Sequence, residues 1–276
     1  MGQLRVFPAP MGWYDSPQYY DLAFQSETLP EADFIEAACR KYAVGPVRTL
    51  LEPACGTGRL VVELARRGYQ VLGLDINRKA LAYLRRRLRR RGLRSLIFVA
   101  DMSRFGLARP VDAAYCTFDS FRHLLTEQSA LEHLNCMAEA VRPGGIYLLG
   151  LHLLPPDAST ECIERWTERR GRTHLTVTLR VLRCDRRRRI EWIRISVLVR
   201  KRPAQRLQVA HPSDQVLRFR DEFPLRIYTA RQFRRLLAKT PRWELADVYD
   251  FWYEIDRPQR LTDQMADTVF ILRRQR

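Results

Sequence analysis

A turn rich in small residues, between an apolar run and a helical pattern, is the part of this sequence with the clearest chemistry. Residues 50–58 read Leu-Leu-Glu-Pro-Ala-Cys-Gly-Thr-Gly, with small residues at Ala54, Gly56 and Gly58. A backbone without side chains can approach a bound molecule closely, and the first turn of a helix presents N–H groups that have no partner within the helix. The turn therefore predicts a site for a nucleotide-like cofactor.

The spacing of the glycines argues against a dinucleotide. A dinucleotide-binding turn has the pattern G-x-G-x-x-G, and Val61 stands where its third glycine would be. Glu52, at the end of the apolar run, instead suits a cofactor with a cationic amino-acid part, because a carboxylate can bind an ammonium group directly or through water.

The same turn resembles motif I of class I S-adenosylmethionine-dependent methyltransferases, written (D/E)-x-(G/A)-C-G-T-G. In that family the acidic residue and the small residues surround the methionine part of the cofactor. The resemblance implies this role for Glu52, Ala54, Gly56 and Gly58. It also implies S-adenosyl-L-methionine as the cofactor and methyl transfer as the activity.

Three later strand ends continue the resemblance in the same order. Asp75 closes a short apolar run, and a carboxylate at that place can accept two hydrogen bonds from a ribose diol. The resemblance assigns Asp101 to the adenine amine and Met102 to the face of the adenine ring. The run from Val111 to Thr117 matches the fourth strand, whose end faces the methyl group, and Thr117 is therefore predicted to contact the cofactor.

Candidates for catalysis follow that fourth strand. Methyl transfer from a sulfonium is an in-line displacement in which the donor is already activated, so the enzyme mainly aligns the reactants and excludes water. A base helps only if the acceptor is a protonated amine or a hydroxyl. His123 is the candidate base, with Asp119 beside it; the alternative is a histidine that packs beside Leu124 at a helix start.

The elements around these residues predict an α/β fold. Strand and helix patterns alternate from residue 46 to residue 154, which indicates right-handed crossovers and a Rossmann-like, doubly wound sheet. The resemblance implies seven strands, the last two at 243–249 and 268–272, with the final strand antiparallel. The segment 1–45 is expected to fold over the cofactor as a lid, with Tyr20 either contacting the cofactor or lying in the core.

A different pattern begins at Pro155. Apolar residues alternate with polar ones from 175 to 181 and again from 193 to 199, which predicts an inserted antiparallel layer over 155–226, before 227–276 completes the core sheet. Such an insertion resembles that of small-molecule methyltransferases related to glycine and amino-sugar N-methyltransferases, where it roofs the acceptor pocket. A homodimer interface is the alternative use, and both uses can coexist.

The charge of the chain raises nucleic acid as a partner. Lysine and arginine number 48 against 31 acidic residues, which gives a net charge of +17. The arginines at 85–91 lie on the polar side of a predicted helix, and those at 186–189 form a predicted hairpin tip, so solvent exposure explains both runs. Enzymes that methylate base amines usually carry (D/N/S)-P-P-(Y/F) where this chain has residues 117–120, so a nucleic-acid partner is not favoured.

Other classes are disfavoured by composition. No run of eighteen apolar residues exists, residues 1–8 lack the apolar region of a signal peptide, and the six cysteines form no C-x-x-C pair. The expectation is a cytoplasmic protein with no metal site and no membrane partner. The leading hypothesis is a methyltransferase acting at nitrogen or oxygen of a small molecule; an RNA or protein methyltransferase, or a non-catalytic cofactor-binding or polyanion-binding protein, stays open.

Overall fold

Residues 12–201 and 215–275 are described by a computed structural model. Residues 1–8, on which the prediction about a signal peptide rests, lie outside these ranges, as does part of the predicted insertion. The division of the chain at residues 45, 154 and 226 stays a prediction.

Strands and helices alternate through the first half of the chain and give way to consecutive strands in the second. The strands are β1 (Thr49–Pro53), β2 (Gln70–Asp75), β3 (Leu96–Val99), β4 (Val111–Cys116), β5 (Val141–His152), β6 (Ile163–Arg170), β7 (Thr173–Asp185), β8 (Ile190–Lys201), β9 (Gln215–Arg226), β10 (Trp243–Tyr249) and β11 (Asp267–Arg274). The helices are α1 (Pro17–Ala23), α2 (Thr28–Tyr42), α3 (Arg59–Arg66), α4 (Arg78–Arg90), α5 (Glu127–Ala140) and α6 (Ala230–Leu237), and Ser120–His123 form a 3-10 turn.

Seven strands form the central sheet, in the order β10-β11-β5-β4-β1-β2-β3. The five strands β3, β2, β1, β4 and β5 pair in parallel with their neighbours. In contrast, β11 runs antiparallel to both β5 and β10. This arrangement confirms the predicted doubly wound sheet and its antiparallel last strand. Because the order reverses between β1 and β4, a crevice opens at their carboxyl ends, where ligands bind in folds of this type.

Helices cover both faces of that sheet. The apolar sides of α2, α3 and α4 pack against one face, and those of α5 and α6 pack against the other. Three side-chain caps define where helices begin: Asn77 accepts backbone N–H bonds at α4, and Thr126 and Thr229 do so at α5 and α6. The helix starts are therefore set by local sequence.

A second, antiparallel sheet has the order β6-β7-β8-β9. Its inner face carries Leu175, Val177, Ile193 and Ile195. These residues pack against the aromatic residues of α1 and of the segment that precedes α1. The outer face is polar, so the predicted alternation and the inserted layer are confirmed. The arginines at 186–189 do form the turn between β7 and β8.

One prediction about the arginine-rich helix is wrong. Arg87 was expected in solvent with its neighbours, but its guanidinium donates to the buried carboxylate of Asp21 (2.5 Å) and to the Thr57 carbonyl (3.0 Å). The reason is that α1 packs against α4, and a buried carboxylate must be paired. Arg87 therefore ties α1 to the turn that precedes α3.

No helix in the described part of the chain is long and apolar enough to cross a membrane. All six cysteines are free, and Cys39, Cys55 and Cys116 are buried.

Candidate active site

A cavity of about 710 Å³ opens at the carboxyl ends of the parallel strands, between α1 and the inner face of the second sheet. Most of the residues that the sequence singled out line it, although they come from five separate segments. They are Tyr20, Ala54, Gly56, Asp75, Asp101, Met102, Asp119 and His123. The other three, Glu52, Gly58 and Thr117, lie beside the cavity without lining it.

The turn after β1 is held in an unusual backbone conformation. Ala54, Gly56 and Gly58 have φ values of 54°, 50° and 67°, a region that favours residues without a side chain. A Cβ atom at Gly56 would project into the space next to Asp75, with the nearest carboxylate oxygen at 3.9 Å. A Cβ atom at Gly58 would instead collide with Leu84 of α4. Gly56 therefore keeps the cavity open, and Gly58 allows two helices to pack.

Asp75 is fixed in place by backbone groups. One carboxylate oxygen accepts the Gly56 N–H at 2.8 Å, and the other accepts the Asn77 N–H at 2.7 Å. Burial raises the pKa of Asp75 and these N–H groups oppose that rise. Each oxygen keeps a further lone pair for a hydroxyl donor from the cavity. The arrangement can bind a diol.

The end of β3 provides a second acidic and apolar pair. The Asp101 carboxylate accepts the N–H and the O–H of Ser103, both at 2.7 Å, which orients its side chain. The Met102 carbonyl accepts a hydrogen bond from ring nitrogen Nδ1 of buried His133 at 2.8 Å. These hydrogen bonds hold Asp101 and Met102 in position at the cavity wall.

A buried charge cluster lies behind the glycine turn. Arg59, the first residue of α3, forms an ion pair with Glu31 of α2, and the Thr117 hydroxyl donates to Glu31 at 2.5 Å. The Arg59 atom Nη1 is buried and has no hydrogen-bond partner among the described residues. The positive charge of Arg59 also acts on Glu52 and Tyr20. An anionic group bound at the turn would give this guanidinium its missing partner.

Sequence reasoning did not select Arg59, although a signal for it exists. A cation at the start of a helix opposes the helix dipole, which favours anions there. A cation at this place therefore needs an anionic partner from outside the helix, and the buried Glu31 is one such partner.

Tyr14 and His123 form a pair in the cavity wall, where the Asn77 side chain donates to the Tyr14 carbonyl at 2.8 Å. The Tyr14 hydroxyl and His123 Nε2 are 2.9 Å apart, and the rings meet edge to face. Burial lowers the pKa of His123 below its ordinary value, with Asp119 opposing, and burial raises the pKa of Tyr14. At neutral pH the imidazole is therefore uncharged and the phenol protonated.

Asp119 has other partners. One oxygen of its carboxylate accepts the backbone N–H of His152 (3.0 Å), and the other accepts a guanidinium N–H of Arg122 (3.0 Å). Because this carboxylate is engaged in an ion pair with Arg122, His123 is the better candidate base. His152, which also lines the cavity, bonds Asp267 at 2.7 Å, and this carboxylate and Asp119 raise the pKa of His152 against the effect of burial. Across residues 12–201 and 215–275, no group of three His, Cys, Asp or Glu side chains could hold a metal ion.

Sequence reasoning also missed Tyr14 and His152. They come from two distant segments, and each has an ordinary explanation when taken alone. No local pattern could have joined them.

Comparisons with known proteins agree with this geometry. Residues 50–145 match the family model described as a methyltransferase domain. A methyltransferase from Geobacillus sp. (strain WCH70) is 26% identical over 143 residues, which are 51% of this chain and 55% of that protein. The chain thus matches about half the length of that curated relative.

Other similarities extend over most of the chain. The dTDP-3-amino-3,6-dideoxy-alpha-D-glucopyranose N,N-dimethyltransferase of Streptomyces fradiae is 26% identical over 79% of this chain and 80% of its own length. The crystal structure of the sugar N-methyltransferase KedS8 from Streptoalloteichus sp. superposes with a TM-score of 0.72, at 19% identity, over 100% of this chain and 98% of that one. Residues 50–145 therefore carry a methyltransferase domain, and the fold of the chain is that of known sugar N-methyltransferases.

Proposed function

We propose that the protein transfers a methyl group from S-adenosylmethionine to an amino nitrogen of a sugar in a small-molecule acceptor. One observation carries this proposal: Gly56, in the turn proposed to bind the cofactor, and the Tyr14–His123 pair line one and the same cavity. Its volume of about 710 Å³ suits small molecules, whose sites span roughly 300–1,000 Å³. The names of the S. fradiae relative and of KedS8 support an aminosugar as the acceptor.

The residues present fit the cofactor. Gly56 leaves room beside Asp75, which would bind the ribose diol, and Asp101 with Met102 would hold the adenine. Arg59 Nη1, buried without a partner among the described residues, would pair with the carboxylate of the methionine part. When bound, the sulfonium supplies a methyl group that is already activated for in-line displacement.

Glu52 makes cofactor binding depend on pH. Burial raises the pKa of Glu52 to about 8, although Arg59 and a hydrogen bond from Tyr115 (3.1 Å) oppose the rise. An ammonium group binds the carboxylate and not the neutral acid, so binding requires Glu52 to lose its proton. Affinity should therefore rise with pH below about 8, by up to about tenfold per unit, and then level off.

Calorimetric titration of the protein with S-adenosylhomocysteine at pH 6, 7 and 8 measures this dependence. The Glu52→Gln variant, which cannot ionise at that position, should bind more weakly and show a flat profile. A wild-type affinity that does not change over this range would contradict the role of Glu52.

The chain's own residues can manage the proton that the acceptor amine releases. In the tautomer in which His123 Nε2 carries hydrogen and donates to the Tyr14 oxygen, Nδ1 is free to accept a proton. The lowered pKa of His123 keeps the ring neutral, as a base requires. The hydrogen bond to Tyr14 fixes the orientation of the His123 ring.

Replacing His123 with alanine should lower kcat for methylation of an aminosugar by about 10- to 100-fold. This is at or below the low end of the usual contribution of a general base, about 100-fold, because the methyl donor is already activated. Its affinity for S-adenosylhomocysteine should stay within about twofold, because His123 lies at the acceptor end. Transfer of radiolabelled methyl to a panel of aminosugars, measured across pH, tests this. The acid limb of the kcat/KM profile should disappear in the variant.

His174→Ala is a matched control, since His174 lies on the outer face of the second sheet and does not line the cavity. It should retain full activity. If the protein binds S-adenosylhomocysteine yet methylates no aminosugar in the panel, the proposed function is refuted.

A further inference from the structure

The acceptor end of the cavity has walls of mainly apolar side chains. We call this part, between His123 and the second sheet, the acceptor chamber. Its apolar wall comes from the inner faces of β6 to β9 and consists of Trp166, Leu179, Val181, Ile193, Ile195, Phe223 and Leu225. Such a wall can cover an apolar body much larger than a methyl group.

The charged groups of the chamber are nearly all acidic. Asp119, Glu164, Glu191 and Asp267 line it, whereas Arg122 is the single lysine or arginine among the lining residues that the structure describes. The contrast with the net charge of +17 is large. Cations are abundant in this chain but are not placed here.

The one arginine is already neutralised. Arg122 pairs with Asp119 at 3.0 Å and with Glu191, and its Nε donates to the Arg226 carbonyl at 2.8 Å. Its side chain is 6% exposed. An anionic ligand would have to displace a carboxylate from this buried pair and leave that carboxylate uncompensated.

The second sheet separates charge between its two faces. Strand register places Arg169, His174 and Arg200 side by side on the outer face, away from the chamber. Alternation along the strands puts seven arginines on that outer face: Arg165, Arg169, Arg180, Arg194, Arg200, Arg218 and Arg220. The part of the inner face that lines the chamber carries apolar residues, Glu164 and Glu191. The electrostatic character of the chamber is thus opposite to that of the surface behind it.

Resting on the proposed function, we propose that the acceptor is an aminosugar joined to an apolar, uncharged body and not to a nucleoside diphosphate. The two phosphates of a nucleotide sugar are ionised at neutral pH, and the chamber offers them carboxylates and no free cation among its described lining residues. A protonated amine and an apolar aglycone match the acidic groups and the apolar wall. This substrate class differs from the dTDP-linked sugar in the name of the S. fradiae relative.

Two ligands that share one aminosugar test the proposal: its octyl glycoside and its thymidine diphosphate ester. Calorimetry is done on protein saturated with S-adenosylhomocysteine, and kcat/KM is then measured with S-adenosylmethionine. The glycoside should bind at least about 100-fold more tightly and be methylated with at least that preference. Thymidine diphosphate alone should not compete with the glycoside.

Two variants sharpen the result. Glu164→Arg places a cation in the chamber wall and should improve binding of the nucleotide sugar about tenfold. Arg186 lies just outside, where it donates to the carbonyls of Pro155 and Ala158. Arg186→Ala should leave both affinities unchanged; a loss of nucleotide-sugar binding would show that Arg186 holds a diphosphate and would overturn the proposal.

The other outcomes separate the two proposals. Tighter binding of the nucleotide sugar refutes the acceptor class and leaves the methyltransferase function intact. Tight binding of the glycoside without methylation of either ligand supports the acceptor class and refutes the function. Binding of neither ligand, by a protein that binds S-adenosylhomocysteine, refutes the acceptor class.

Discussion

Replacing Gly56 with valine is expected to weaken binding of S-adenosylmethionine by at least about 1,000-fold. At φ 50° the new side chain would project into the cavity beside Asp75, where the structure leaves open space. It would occupy the place of the ligand and displace the Gly56 N–H that holds the Asp75 carboxylate at 2.8 Å. A loss of more than about 4 kcal/mol follows when a ligand cannot enter its site. Calorimetry with S-adenosylhomocysteine measures the effect.

The control must separate backbone strain from obstruction. Gly92 also has a positive φ, 64°, and a Cβ atom there would meet nothing within 4 Å. Gly92→Val therefore carries the same type of strain, about 1–2 kcal/mol, far from the cavity. Its affinity for S-adenosylhomocysteine should equal that of the wild type. Equal losses in both variants would mean that strain, and not obstruction, explains the result at Gly56.

The cofactor end of the cavity was predictable because its signals are local. Each parallel strand ends at the same edge of the sheet, so Gly56, Asp75 and Asp101 are brought together once the strands are recognised. The helix caps were predictable for the same reason, since a cap depends on residues three positions apart. Residues that follow successive parallel strands in the sequence therefore lie close together in the fold.

The remaining parts depend on packing between distant segments. Arg122 meets Glu191, 69 residues later, and Tyr14 meets His123 across 109 residues. The Thr117 hydroxyl donates to Glu31, and a Cβ atom at Gly58 would collide with Leu84. Sequence could show that these positions matter. It could not show which neighbour each would have, because long-range pairing depends on the whole packed core.

Replacing Glu31 with glutamine is expected to lower the free energy of unfolding by about 3–5 kcal/mol. The Glu31 side chain is fully buried, and that of its partner Arg59 is 10% exposed. Removing one member of a buried ion pair leaves an uncompensated charge in a medium that solvates it poorly. The expected change is a large part of the stability of a domain, so urea denaturation should show a clearly lower midpoint.

An exposed ion pair provides the matched control. Glu254 and Arg257 are 2.9 Å apart with both side chains at least half exposed, so Glu254→Gln should change the unfolding free energy by less than about 0.5 kcal/mol. Equal effects at Glu31 and Glu254 would contradict the assigned role of burial.

A second variant identifies the source of the loss at Glu31. If the loss comes from the buried charge of Arg59, removing that charge as well should recover most of it, because an apolar pair of similar volume can replace a buried ion pair at little cost. The Glu31→Gln, Arg59→Met double variant should therefore be more stable than Glu31→Gln alone. It should nevertheless bind S-adenosylhomocysteine weakly, since Arg59 Nη1 is the group proposed to pair with the cofactor's carboxylate. Recovered stability without recovered binding would separate the structural role of Glu31 from the binding role of Arg59, whereas recovery of both would show that Arg59 does not bind the cofactor.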